Sequence, residues 1–269
     1  MKMSKRWLVL PTLLLVVFAG WVLARFALDR GGPAGGGPVG AGSSRPAADA
    51  RTPEELAAAL ARHPPRVETD AILRRLVAGG SGSVGPLKGL LDDEDRWLRA
   101  LVARALYRMG PPAAAAAPDL IKALHDEDDQ VRIWSAGALG EIGLPAAGNA
   151  IEPLVAAMKT DESPGVRRSA ARALGTLGPG AQAAVGPLIE ALKDPDVTVH
   201  PYAAEALGSL GAADERVVPA LKGATNDTFA NLRAVEALKK LGAEVPASAT
   251  GPATRPAGDH PTTGHTHGQ

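Results

Sequence analysis

One phrase recurs along this chain. VRIWSAGALGEIG fills positions 131–143, VRRSAARALGTLG 166–178 and VHPYAAEALGSLG 199–211. Such recurrence constrains the fold more than composition does, because each copy has to be one unit of a stack. Counting back from the closing glycine, apolar residues fall twelve, eight or seven, four and one positions earlier. In the first copy these are Val131, Ala136, Leu139 and Ile142. Gaps of three and four place them on one stripe of an α-helix. The glycine suits the left-handed conformation that ends many helices.

Looser copies flank the three, at 98–110 and 230–242. The closing glycines are then Gly110, Gly143, Gly178, Gly211 and Gly242, spaced 33, 35, 33 and 31 residues apart. Between copies runs a second apolar segment with a proline near its start: Pro86, Pro118, Pro153, Pro187 and Pro219. Proline is tolerated in the first turn of a helix, where its missing N–H would have no partner. An acidic or turn-forming run follows each time, such as DDED at 92–95 and DEDD at 126–129. The unit is helix, acidic turn, helix, glycine. A lone pair of this kind cannot bury its stripe, whereas stacked pairs bury a continuous core. Residues 51–81 read as a degenerate capping unit, with helices at 54–62 and 67–78 and Gly79 as its stop.

The phrase V-R-x-x-A-A-x-A-L-G-x-L-G resembles the second helix of HEAT repeats, in the short form called PBS-lyase HEAT-like. The resemblance covers 82–242 well and 51–81 weakly. It implies an all-α, right-handed α-solenoid of about five to six helix pairs over 51–242, with the second helices lining its concave surface. It also implies that an aspartate in each turn pairs with the arginine of the repeated phrase. The candidates are Asp95, Asp128 and Asp196 with Arg99, Arg132 and Arg167, in a column that His200 and Asn231 interrupt. A structural ladder is the reading preferred over a cation site, since the acidic runs stand one per repeat and calcium needs oxygens converging on one point.

The two ends differ from the array. Residues 7–24 are uncharged and apolar, and at 1.5 Å per residue they reach about 27 Å, close to a bilayer's hydrocarbon thickness. Lys2, Lys5 and Arg6 precede them. We read 1–28 as one transmembrane signal-anchor helix in the cell (inner) membrane, with the array on the extracytoplasmic side. The alternative is a signal peptide cut after Ala19 or Ala24, giving a secreted or periplasmic chain. Residues 29–50 form a Gly/Pro/Ala linker, and 243–269 a disordered tail with incidental His260, His265 and His267.

Residues 51–242 hold 22 Lys and Arg against 25 Asp and Glu, a net of −3, so no nucleic-acid partner is expected. The chain has no cysteine, which removes thiol catalysis, disulfides and a lipobox. Two G-x-G-x-x-G matches, at 35–40 and 80–85, lack the strand that a dinucleotide site requires. His63, His125 and His200 are scattered among repeats, and no cofactor is expected. An enzyme or bilin-lyase-like protein on this scaffold is the alternative reading, and a purely structural spacer the third.

The face opposite the core stripe lies ten, six and three positions before each closing glycine, and it includes Arg104, Tyr107, Arg168 and Arg172. At its edge, nine positions before the glycine, stand Trp134 and Tyr202 in a chain with only 3% aromatic residues. These six residues are the candidate binding surface for a protein or peptide. Gly140, Gly175 and Gly208 form a column between them. It is read either as close helix packing or as a shallow groove that admits a partner's backbone. An extended segment with apolar ends and an acidic middle would match such a surface.

Overall fold

The computed structural model describes residues 51–211 and 213–250. Residues 1–50, which carry the 7–24 segment and the linker, lie outside the described residues, as do 251–269 of the tail. Among the described residues no helix is long and apolar enough to cross a membrane.

Twelve α-helices are described, and they pair in chain order. The first helices are α1 (Pro53–Leu60), α3 (Val84–Lys88), α5 (Ala117–Ala123), α7 (Ile151–Thr160), α9 (Val185–Ala191) and α11 (Val217–Ala224). The second helices are α2 (Arg66–Ala78), α4 (Arg96–Met109), α6 (Asp129–Ile142), α8 (Pro164–Leu177), α10 (His200–Leu210) and α12 (Asn231–Lys240). No strand occurs among the described residues. The core is one continuous seam of small and branched side chains, from Leu56 to Leu238. It includes the stripe residues Ala136, Leu139 and Ile142. Pro86, Pro118, Pro153, Pro187 and Pro219 all sit in the first turns of their helices.

The closing glycines all have positive φ, from 61° at Gly110 to 94° at Gly211. At Gly242 the N–H bonds of Ala243 to Leu238 and of Gly242 to Lys239 make the expected left-handed cap, whereas the ψ values of the other four correct it. Gly143 has ψ 179° and Gly178 ψ −146°. That region is open only to glycine, so the requirement is stricter than a left-handed helical residue would impose. In the capping unit, α2 ends at Ala78, but Gly79 has φ −70° and Gly80 has φ 57°. The positive-φ stop is Gly80, one residue later than the sequence suggested.

The second helices pack in file, α4 on α6, α6 on α8, α8 on α10 and α10 on α12. Their spacing is set by the glycine column. A Cβ on Gly140 would stand 2.8 Å from Ala173 Cα, and one on Gly175 2.8 Å from Ala206 Cα. Gly208 meets Ala237 in the same way. These glycines are therefore filled by the next helix, so of the two readings close helix packing holds and the groove for a partner's backbone does not. The second helices thus form one closely packed layer, which we call the inner layer.

The ladder exists with different partners. Arg99 Nε and Nη2 donate to Asp126 at 2.8 and 2.9 Å. Arg132 donates in the same fork to Asp161, and Arg167 to Asp194. Each aspartate belongs to the turn of the following repeat, so every fork ties two units together. Asp95, Asp128 and Asp196 instead accept N–H bonds from Trp97, Gln130 and Thr198, at the starts of their own helices or turns. They cap, as a short acidic side chain at a helix start does. His200 and Asn231 do not interrupt the column. Each member bonds the carbonyl six residues before it: Arg99 to Asp93, Arg132 to Asp126, Arg167 to Asp161, His200 to Asp194 and Asn231 to Thr225. Burial pushes the Asp194 carboxyl up, but the Arg167 fork and the Asp196 N–H outweigh it and hold Asp194 below the usual carboxylate range.

The array's packing runs past 242. Ala243 and Val245 pack against the core, and the Ala243 N–H donates to the Leu238 carbonyl. The start of the expected disordered tail is thus bound to the last repeat, because Val245 has apolar surface to cover there.

Candidate functional site

On the inner layer, α4, α6, α8, α10 and α12 present their polar sides along one trough. Its middle is a cavity of about 500 Å³ lined by Tyr107, Ile133, Trp134, Arg168, Arg172 and Tyr202, with Glu205 and Arg233 at one end. Five of the six expected binding residues thus share one cavity. The aromatic rings are half-buried against the core, which fixes their position. The Tyr107 and Trp134 ring centroids are 5.5 Å apart at an interplanar angle of 57°. The Arg172 guanidinium lies over Tyr107, 5.3 Å from the ring centre, and its Nη1 donates to the Tyr107 hydroxyl at 3.1 Å. Arg168 lies over Tyr202 at 5.7 Å.

Gly137 makes the first stack possible. Arg172 on α8 must cross α6 to reach Tyr107 on α4, and a Cβ on Gly137 would stand 3.1 Å from the Tyr107 ring and 3.2 Å from Arg172 Nη2. This glycine is buried too, but under the side chains of Tyr107 and Arg172 rather than against a neighbouring backbone as Gly140 is. The Ser169 hydroxyl donates to the Ile133 carbonyl at 2.9 Å and pins α8 to α6 beneath the cavity.

Arg104, the sixth expected residue, lies outside this cavity. It lines a second one of about 290 Å³ with Asp70, Arg74 and Arg108. Arg74, Arg108, Ser169 and Arg233 were not among the expected residues. Ser169 and Arg233 stand nine positions before Gly178 and Gly242, the same register as Trp134 and Tyr202. Arg74 stands six before Gly80, the register of Arg104, in the capping unit, where that register was not counted.

Charge is unevenly distributed on this layer. Arg233 sits between Glu205 at 3.6 Å and Glu236 at 3.0 Å. Among the described residues no carboxylate forms an ion pair with Arg74, Arg104, Arg108, Arg168 or Arg172. The lysines of the first-helix layer differ: Lys88 pairs with Asp119 and Lys159 with Glu190. No three His, Asp or Glu side chains converge as metal ligands among the described residues.

The HEAT-repeat family model matches residues 84–150 and 151–239, more than half of the chain. The chain belongs to the HEAT repeat family. No curated protein matches this HEAT-repeat chain. Among solved structures it is similar to an engineered protein, at 23% identity and a TM-score of 0.54 over 71% of this chain and 96% of the other. It is also similar to a designed armadillo repeat protein in complex with the peptide (KR)4, at 20% identity and a TM-score of 0.54 over 70% and 98%. At these identities the likeness establishes the repeat fold and nothing finer.

Proposed function

We propose that this chain is a HEAT-repeat scaffold that binds an extended segment of a protein or peptide along its concave layer. The observation that carries the reading is the trough itself. Three aromatic rings and two stacked arginines, drawn from four successive second helices, face one open cavity. Tyr, Trp and Arg are the side chains that dominate binding hot spots. Their stacking fixes each ring and guanidinium before a partner arrives, which lowers the entropy cost of association. The similar armadillo repeat protein holds a peptide, which supports the same use of a stacked-helix surface here.

Residues 7–24 support a location as well. An uncharged apolar run of this length, preceded by three cations, tethers the scaffold to a membrane or exports it, with the array outside the cytoplasm. Alkaline carbonate extraction should leave the full chain with the membrane. A mature N-terminus near residue 20 or 25 would show a cleaved signal instead.

The binding reading is tested with a partner recovered by crosslinking the full chain in membranes. Trp134→Ala and Tyr202→Ala should each weaken that partner about tenfold, near 1.4 kcal/mol, at an unchanged melting temperature. A lower melting temperature with unchanged affinity would mean that the rings only pack.

A further inference from the structure

We infer that the segment the trough takes is acidic, and that its carboxylates run from the cavity of Arg168 and Arg172 to the capping-unit end, where Arg74, Arg104 and Arg108 stand. This deepens the binding reading above and rests on it.

The argument begins with a mismatch. Residues 51–242 carry a net −3, so an arginine placed at random would find a carboxylate close by. The ladder arginines do, each in a two-point fork. The five on the inner layer make no such fork, although Asp70 and Glu205 each share a cavity with some of them and the charge of Arg168 reaches Asp196. Three of them, Arg74, Arg104 and Arg108, line one cavity, where Asp70 is the only acidic side chain and Arg74 Nε bonds only the Asp70 carbonyl. Clustered like charges repel, so this arrangement costs the free protein stability.

The geometry of Arg168 and Arg172 is that of prepared anion receptors. A ring covers one face of each guanidinium. A guanidinium held by its face still offers N–H edges, and those edges match a carboxylate in a two-point bond. The polarity of the trough gives the occupant a direction. At the far end Arg233 is already neutralised by Glu205 and Glu236, and Leu232 is 65% exposed. Acidic residues therefore belong over α2 to α8, and an apolar residue over α12. Three helix spacings of about 10 Å separate α2 from α8, the reach of about nine extended residues.

The test uses the full chain and three fluorescent peptides of about fifteen residues, the reach from α2 to α12, identical in their leucine ends and with Glu, Gln or Lys in the middle. Anisotropy titration at low ionic strength should show the Glu peptide bound at least tenfold more tightly than the Gln peptide, and the advantage should shrink as salt screens it. Arg104→Gln with Arg168→Gln should abolish the preference while the melting temperature stays level or rises, since each arginine group loses one of its like charges. Equal or tighter binding of the Gln or Lys peptide overturns the acidic assignment. If Trp134→Ala weakens that binding, the trough still binds peptide and only its charge preference was misjudged. Failure of all three peptides to bind overturns both.

Discussion

His200 and Asp227 form a rung that every other complete member of the ladder builds from an arginine. Its Nδ1 lies 3.0 Å from Asp227 Oδ2, and its Nε2 lies 2.8 Å from the Asp194 carbonyl oxygen. Both neighbours are acceptors, so only the ring with both protons completes the rung. A neutral ring turns one lone pair towards an oxygen. His200→Arg carries N–H donors for both acceptors and should raise the melting temperature, by about 1 kcal/mol of stability. An unchanged or lowered melting temperature would show that the imidazole already completes the rung.

Acid acts on the other side of the ladder. At Asp227 burial raises the carboxyl, but the Ala230 and Phe229 N–H groups and His200 outweigh it, so both Asp194 and Asp227 are held below the ordinary value. A depressed carboxylate contributes stability above its unfolded value and loses it as pH falls through the folded one. Thermal melts should therefore decline below about pH 4. Asp194→Asn should cost about 2 kcal/mol at neutral pH and flatten that decline. An unaltered acid slope in the variant would place the sensitivity elsewhere.

Arg132 measures the coupling between units. It donates to Asp161 in the next repeat and to two carbonyls of its own turn, with its side chain 9% exposed. Arg132→Ala leaves those groups unmet and should cost about 3 kcal/mol in denaturant unfolding. Arg132→Lys should recover only part, since an ammonium cannot fork. A loss below about 0.5 kcal/mol would make the ladder an ordinary surface feature.

Two glycines of one helical family should separate packing from binding. Gly175→Ala drives a Cβ into Ala206 backbone and should destabilise by about 1–3 kcal/mol, despite the propensity gain of about 1 kcal/mol. Gly137→Ala meets only the Tyr107 ring and the tip of Arg172. It should leave the melting temperature nearly unchanged and weaken peptide binding by unseating that stack. Equal destabilisation by both would show that the side chains over Gly137 cannot give way.

Repeat spacing made the helix pairs legible, and the closing glycines marked their ends, because a periodic apolar stripe has few ways to be buried. Counting from those glycines also located Tyr107, Trp134, Arg168, Arg172 and Tyr202 on one surface, which the structure gathers in one cavity. The ladder was misjudged because a pattern along the chain shows neighbours in sequence. Arg99 stands four residues from Asp95 but bonds Asp126, 27 residues away, across the stack. Arg74 was missed because the face was counted only in the five regular units, and the degenerate phrase of the capping unit gave no matching register. Whether Gly140 lined a groove depended on the neighbouring backbone, which no pattern within one repeat discloses.

The central claim is that the second-helix layer, and no other, holds the partner. A photo-reactive amino acid can be placed in the full chain at Ile133, inside the trough, or at Lys122 on a first helix, whose side chain is 73% exposed. After irradiation in native membranes, the account predicts a discrete adduct from Ile133, lost on addition of the acidic peptide, and none from Lys122. An adduct from Lys122 with none from Ile133 would contradict it.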